Sequence, residues 1–558
     1  MSDPVASVRQ HYGIALFLGF AITIFYVAMV TPIAYLYSNP DTSSYLEAAR
    51  NFLLGKGLVV SAGLDKWTLG TEPLSLWPPG YPIIVALGSK LLGVDPVWLA
   101  PRIVWLTWAL LPTALLFALR PALNSWHVHI VSTLVMLSPG ALENAWQAMT
   151  DLPFLFLTIL AFGMLFRGTD NTARPIPLVL TGILFALAYS VRNVGLASFA
   201  AIFGAYTVLV LLKLLSPRAA LQRMTWLAAG ASLIVIPLLV RNLTVFGALQ
   251  PYHMPPSQVG LITNARYFVA SWLNDIFAVH GLLYMVLWNN AVFVALGAAI
   301  LILAWSTRKG LARVWCSLTT HTKEIFAVLV AYALAGAAVV IIARSRYEWG
   351  ELIGLRHVLQ YDWVIFSACA LLFKQWGDML RGVPVAILTV VIALVGLRVV
   401  YVGQDLAIRR ADFAIASRSS DPVSLAEITN QYRYILAMRY IIAHDHQLMQ
   451  AVHDLPTGTI VVSNYDAILR EGASRVVHRI ILESTCDLTE QLAVFSHGSA
   501  SAMNVAVLLF PKRDIVQSGC WERLQNSSQK RFDLSVTRPY LISLSAGEIG
   551  ASPQAASP

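Results

Sequence analysis

The chain has 558 residues, 57% of them hydrophobic and only 12% charged, with a formal net charge of +9 and a mean hydropathy of +0.65. Soluble domains carry about 25% charged residues, and a soluble core cannot absorb this apolar excess, because much of any folded surface faces water. An ordinary cytosolic enzyme, a disordered regulator and a nucleic-acid binder are therefore excluded. The basic excess sits in the hydrophobic part: 25 Lys+Arg face 15 Asp+Glu before residue 402, and 14 face 15 from there on. That distribution reads as membrane topology rather than as a surface for an acidic polymer.

A bilayer core of about 30 Å needs about 20 apolar residues per helix. Such runs predict a polytopic bundle of about eleven spans, near 14–37, 97–118, 126–142, 151–166, 176–190, 194–215, 225–243, 283–305, 324–343, 358–373 and 384–401. The first run is too long for the apolar region of a cleaved signal and reads as a retained span. Between the first two spans lies a long insertion, 38–96, in which Ser43 to Leu54 has helical spacing with Tyr45, Leu46, Ala49, Phe52 and Leu53 apolar. A helix of this kind suits the interfacial plane. A second long loop covers 247–282. The short loops on the side of the N-terminus hold bases, as cytoplasmic loops do, so the long loops and the tail are placed outside.

From about 402 the composition turns polar. Residues 422–454 read as one or two helices, Thr459-Ile-Val-Val-Ser463 as a buried strand and Val505 to Phe510 as another. Helices alternating with strands predict a small C-terminal α/β domain over 402–544, followed by an Ala/Ser/Pro-rich tail, 545–558, with the composition of a disordered segment. Cys316 and Cys369 lie in or beside hydrophobic segments. Cys486 and Cys520 share the polar tail, as a disulfide in an oxidising compartment or as two free thiols.

Charge is costly in hydrocarbon, so its placement is informative. The spans read as nearly clean at mid-depth. Acids gather at the outer ends, with Asp41, Glu47 and Glu72 in the insertion and Glu143 and Asp151 around the third and fourth spans. Outer bases include Arg192, Arg241, Arg344, Arg346 and Arg356, with His357 following. A transporter would put charges at the midplane between repeats; charge on one face suits an enzyme acting on an amphiphilic substrate at the membrane surface. Locally, Asp41 reads either as a helix cap or as a general base for an acceptor hydroxyl. Asp151, before Leu152-Pro153, also has the look of an N-terminal helix residue. The outer arginines suit either snorkelling anchors or a bidentate clamp for phosphate. No residues reach metal-ligand spacing; His127 and His129 point to different faces of a helix.

In order along the chain, Asp41-Thr-Ser-Ser-Tyr45 through Gly57, Pro78-Pro79-Gly80-Tyr81-Pro82, Thr150-Asp151-Leu152-Pro153, Arg192-Asn-Val-Gly195-Leu196, Pro237 through Arg241-Asn242 to Phe246-Gly247, and Arg356-His357 resemble the motifs of the GT-C superfamily of integral-membrane glycosyltransferases. The likeness is to the bacterial branch related to protein O-mannosyltransferases and lipid A aminoarabinose transferases. Two departures stand out. Gln360-Tyr361-Asp362 follows the Arg-His pair where the family often has Pro, and Asp151 with Glu143 nearby stands where relatives often have Glu.

The resemblance implies that Asp41 is the catalytic base, while the sugar leaves a polyprenyl-phosphate donor with inversion. It implies that Arg192, Arg344, Arg346, Arg356 and His357 hold the donor phosphate. Asp151 or Glu143 would position the acceptor or bind a divalent metal ion, with Glu47, Glu72 and Tyr81 serving the acceptor or the outer loop. The acceptor would be an envelope glycan, lipid or protein, the site periplasmic and the membrane the inner one, with no nucleic-acid partner. A transporter or flippase of lipid-linked glycans is the alternative, and a non-catalytic assembly protein a third reading.

Overall fold

The computed structural model describes residues 4–34, 40–61, 71–145, 147–169, 175–251, 254–279, 315–347, 353–379, 383–418, 450, 452–455, 460–463, 477–479, 505–508 and 541–544. In chain order the helices are α1 (Pro4–Ala34), α2 (Pro40–Leu53), α3 (Gly80–Leu92), α4 (Pro96–Leu119), α5 (Ser125–Met136), α6 (Pro139–Ala145), α7 (Asp151–Gly168) and α8 (Pro175–Val191). They continue as α9 (Leu196–Leu211), α10 (Pro217–Phe246), α11 (Leu261–Phe277), α12 (Thr320–Arg346), α13 (Leu355–Met379) and α14 (Val383–Arg418). Seven helices among the described residues are long and apolar enough to cross a membrane, within α1, α4, α7, α10, α12, α14 and the stretch Asn193–Leu211 that includes α9. The run expected at 283–305 lies outside the described residues, as do the tail cysteines Cys486 and Cys520, nearly all of the expected 422–454 helices, and residues 545–558.

The run 126–142 is two helices rather than one span. Its apolar composition is uniform, but Pro139 has no N–H to continue the ladder, and the Ser138 hydroxyl accepts the Ala141 N–H at 3.2 Å to start α6 afresh. Elsewhere the ends follow local chemistry. Ser216 caps α10 through Ala219 N–H at 3.2 Å with Pro217 at the first position, and Gly247 closes it in the left-handed conformation at φ 68°. Thr319 caps α12 through Thr322 N–H at 3.1 Å.

The chain divides into two compact units: residues 1–28, 75–81 and 101–405 form the first, and 29–74, 82–100 and 406–558 the second. In the first unit α8 and α10 meet backbone to backbone. A Cβ added at Gly182 would collide with the Leu227 carbonyl, and one at Gly230 with the Val179 carbonyl, the small-residue contact that lets membrane helices approach closely. An aromatic cluster fills the interior: Phe162 lies 5.0 Å from Phe185, 5.1 Å from Tyr332 and 5.5 Å from Trp363 between ring centroids. Outward faces keep large apolar side chains, among them Phe17, Ile24, Leu211 and Leu334, as helices facing lipid do.

In the second unit, β1 (Val59–Ser61) and β2 (Thr71–Pro73) pair antiparallel in the insertion that follows the first span. The C-terminal stretch contains a four-stranded sheet, ordered β4 (Val477–Arg479), β3 (Ile460–Ser463), β5 (Val505–Leu508), β6 (Leu541–Leu544), parallel except for the β5–β6 pair. The compositional change at 402 falls inside α14, which runs on to Arg418.

Gly230→Val is expected to destabilise the protein by about 1–3 kcal/mol through overpacking, read as a lowered melting temperature in detergent. Gly204→Ala, inside α9 with no atom within 4 Å of its added Cβ, is expected to keep that temperature or raise it slightly.

Candidate active site

One buried contact orients the helices of the first unit. Arg223, near the start of α10, pairs with Glu324, near the start of α12, at 2.6 Å and donates to the carbonyl of Thr169, just past the end of α7, at 3.1 Å. The end of α7 and the starts of α10 and α12 therefore share one end of the unit. The start of α7, bearing Asp151, and the ends of α10 and α12, bearing Arg241, Arg344 and Arg346, lie at the other.

At that second end Arg192 is ion-paired to Asp151. Asp151 is only 3% exposed, and its Oδ2 is buried with no hydrogen-bond partner. Arg192 leaves α8 in an extended conformation and is followed by a single 3-10 turn, Asn193–Gly195. That turn explains the glycine in the Arg-x-x-Gly-Leu motif, because a Cβ at Gly195 would lie 2.7 Å from the Tyr189 nitrogen. The Pro78-Pro79-Gly80-Tyr81 segment is buried against the same place: a Cβ at Gly80 would stand 2.5 Å from the Ser190 carbonyl oxygen, two residues before Arg192.

Arg344, 2% exposed, donates to Ser257 Oγ at 2.8 Å and to the Tyr347 carbonyl at 3.3 Å. It thereby ties the 247–282 loop to the end of α12, together with the Ser257 N–H on the Arg346 carbonyl at 3.1 Å and Asn264 on Ser345 at 3.0 Å. The Arg346 side chain is exposed, and Arg356 is partly buried in the first turn of α13. His357 follows, ahead of the apolar stretch of α13. Its Nδ1 accepts the Gly354 N–H at 3.1 Å, so the neutral ring carries its proton on Nε2. Burial, and then the charges of Arg356, Arg192 and Arg344, hold its pKa well below the ordinary histidine value. Three guanidinium groups thus bear on one neutral imidazole whose Nε2 edge is a donor. Glu143 is half-buried on α6.

The remaining predicted residues belong to the second unit, except Tyr81, which is fully buried in the first. Asp41 falls within the first turn of α2, after Pro40, where the helix dipole favours a carboxylate; it is not the cap position. Thr42 to Leu46, Ala48 and Ala49 are buried, while Asp41 and Glu47 are half-buried. Asn51 holds the following hairpin by donating to the Val59 carbonyl at 2.9 Å, and Glu72 stands opposite Val60 in it. Arg50 bridges to Asp95 at 3.1 Å.

Three ionisable residues not among the expected site residues are also fully buried: Asp275 on α11, Asp362 on α13 and Arg398 on α14. The signal for the last two was present, since both fall inside runs read as apolar spans. Among the described residues no three His, Cys, Asp or Glu side chains come together to hold a metal ion, and Asp151 faces a guanidinium.

Arg192→Met leaves Asp151 buried without its cation and is expected to cost about 3 kcal/mol, the low end for breaking a buried pair because Arg192 is partly exposed. The double variant Asp151→Asn/Arg192→Met is expected to recover most of that loss in the same denaturation experiment.

No protein-family profile matches the chain, and no curated protein matches it in sequence. Solved structures do resemble it. ArnT from Cupriavidus metallidurans bound to undecaprenyl phosphate superposes with a TM-score of 0.55 at 12% identity, covering 99% of this chain and 100% of that one. The apo form of the same protein gives 0.51 at 12% identity, over 96% and 99%. The Archaeoglobus fulgidus oligosaccharyltransferase in complex with Zn and sulfate gives 0.49 at 15% identity, over 88% of this chain and 68% of that one. The chain has the fold of the GT-C integral-membrane glycosyltransferases.

Proposed function

We propose that the chain is a membrane glycosyltransferase that moves a sugar from a polyprenyl-phosphate donor to an acceptor hydroxyl, with inversion. The observation that carries this reading is the gathering of Arg192, Arg344 and Arg356 around His357, at the end of the bundle where Asp151 is also buried. A leaving phosphate needs cationic and N–H donors fixed before the reaction. Arg356 and Arg192 supply planar forks, His357 supplies Nε2–H, and Arg344 adds charge while bracing the 247–282 loop. The full-length likeness to an ArnT structure with undecaprenyl phosphate bound supports the lipid class of the donor.

In this mechanism the Asp41 carboxylate takes the proton of the acceptor hydroxyl as its oxygen bonds to the anomeric carbon. The bond from that carbon to the phosphate oxygen breaks, and its electron pair stays on the phosphate, opposite the guanidinium groups. Attack from the face opposite the leaving group inverts the centre. Asp151, held by Arg192, keeps that arginine oriented, and Glu143 serves the acceptor side. The site faces the periplasm across the inner membrane, with the N-terminus cytoplasmic and the C-terminal domain periplasmic. The acceptor is an envelope glycan, lipid or protein.

The test is transfer from radiolabelled polyprenyl-phosphate sugars to an envelope extract by purified protein in lipid. Asp41→Asn is expected to slow transfer by about a hundred- to ten-thousand-fold, and Arg356→Lys by about a hundredfold or more, with unchanged melting temperatures. Equal rates in wild type and Asp41→Asn would contradict the assignment of the base. Absence of transfer, with movement of the intact lipid-linked sugar across a vesicle, would replace the enzyme by a flippase.

A further inference from the structure

Away from the arginines around His357, a second buried group of charges joins four helices of the first unit. Asp275, Asp362 and Arg398 are each 0% exposed. The two carboxyl groups lie within hydrogen-bonding reach of each other, and the charges that bear on them are each other and Arg398. Asp275 Oδ1 accepts the Gly140 N–H at the start of α6, at 2.8 Å. Its Oδ2 and both Asp362 oxygens, like Nε and Nη1 of Arg398, are buried without a well-formed hydrogen bond, and the Trp272 indole stands near Asp362 as a donor. Arg398 Nη2 donates to the Ile276 carbonyl at 3.1 Å, and its guanidinium lies 5.2 Å from the Phe366 ring centroid.

Two carboxylates and one guanidinium leave a net negative charge in an apolar interior, which is costly. One retained proton makes the group neutral and also supplies the missing donor, since a protonated carboxyl gives an O–H to the other. Like-charged carboxylates in contact behave this way and titrate as a pair. In keeping with this, burial, opposed by Arg398 and the Gly140 N–H, pushes Asp275 on the outer-loop helix α11 up to about 6.

The pair also touches the elements that carry the site. Gly140 belongs to α6, which bears Glu143 and leads to Asp151. Asp362 stands five residues along α13 from His357. A Cβ at Gly140 would lie 2.7 Å from Asp275 Oδ2 and 3.1 Å from the Leu355 carbonyl, at the start of α13. We infer that Asp275 and Asp362 share one proton, and that this pair, balanced by Arg398, is a positioning element that holds α6 and the first turn of α13 together for the reaction. The positioning role rests on the glycosyltransferase reading; the shared proton does not.

The folded pair binds its proton more tightly than unfolded aspartates do, so its contribution to stability is greatest below the ordinary aspartate range. It falls by up to about tenfold in the folding equilibrium constant per pH unit until the pair's proton is lost. The experiment compares thermal unfolding of wild type, Asp362→Asn and Asp275→Asn in lipid between about pH 5 and about pH 8, alongside transfer rates. Asn at either position keeps one carboxylate for Arg398 and needs no shared proton, and at 275 its carbonyl still accepts from Gly140. The expected result is a wild-type melting temperature that falls with pH, a flatter profile in both variants, and a variant kcat that does not share the wild-type alkaline decline. Parallel pH profiles in all three proteins, or failure of both variants to fold, would overturn the shared proton. Flattened melting profiles with an unchanged alkaline decline in kcat would overturn the positioning role alone.

Discussion

A carboxylate buried at the start of an apolar helix must be matched by a cation, and the Asp151–Arg192 pair is the match on which the His357 end of this bundle depends. It joins the first residue of α7 to the segment that leaves α8, and so fixes where Arg192 stands relative to Arg344, Arg356 and His357. At the opposite end the Arg223–Glu324 pair with the Thr169 carbonyl performs the same service. Between the two ends the aromatic cluster around Phe162 and the glycine contact of α8 with α10 close the interior. Charges are thus kept to the two ends, with the buried Asp275–Asp362–Arg398 group near one of them.

The consequence for chemistry is that the cations near His357 are held by the fold before any substrate arrives. Arg344 is anchored on Ser257 and Tyr347, and His357 is oriented by the Gly354 N–H. Preorganised donors of this kind stabilise developing negative charge without reorganising during the reaction. A lipid-linked phosphate is a fitting occupant, because its charge would meet the bundle's end while its tail stays among the apolar helix faces.

Much of this was legible in the chain. The spacing of Tyr45, Leu46 and Ala49 marked α2, the run from Thr459 to Ser463 marked β3, and the arginines after α8 and at the end of α12 were visible as charges bordering apolar runs. The glycine motifs were visible only as a resemblance; their physical reason, the approach of Gly80 to Ser190 and of Gly195 to Tyr189, needs the partner backbone. Periodicity also failed at Ser138-Pro139, where uniform hydrophobicity hid a helix break. Asp275 read as part of the second long loop and Asp362 as a departure from a family motif. Only the packing of α6, α11, α13 and α14 shows that they bury together with Arg398.

The central claim is that the cations around His357 receive the phosphate of a polyprenyl-phosphate donor. An experimentally determined structure of the protein in a lipid disc with a polyprenyl phosphate tests it most directly. The account predicts phosphate density in contact with Arg356, Arg192 and the Nε2 edge of His357. Phosphate density at any other place on the bundle, with those three side chains making no contact to it, would contradict the account.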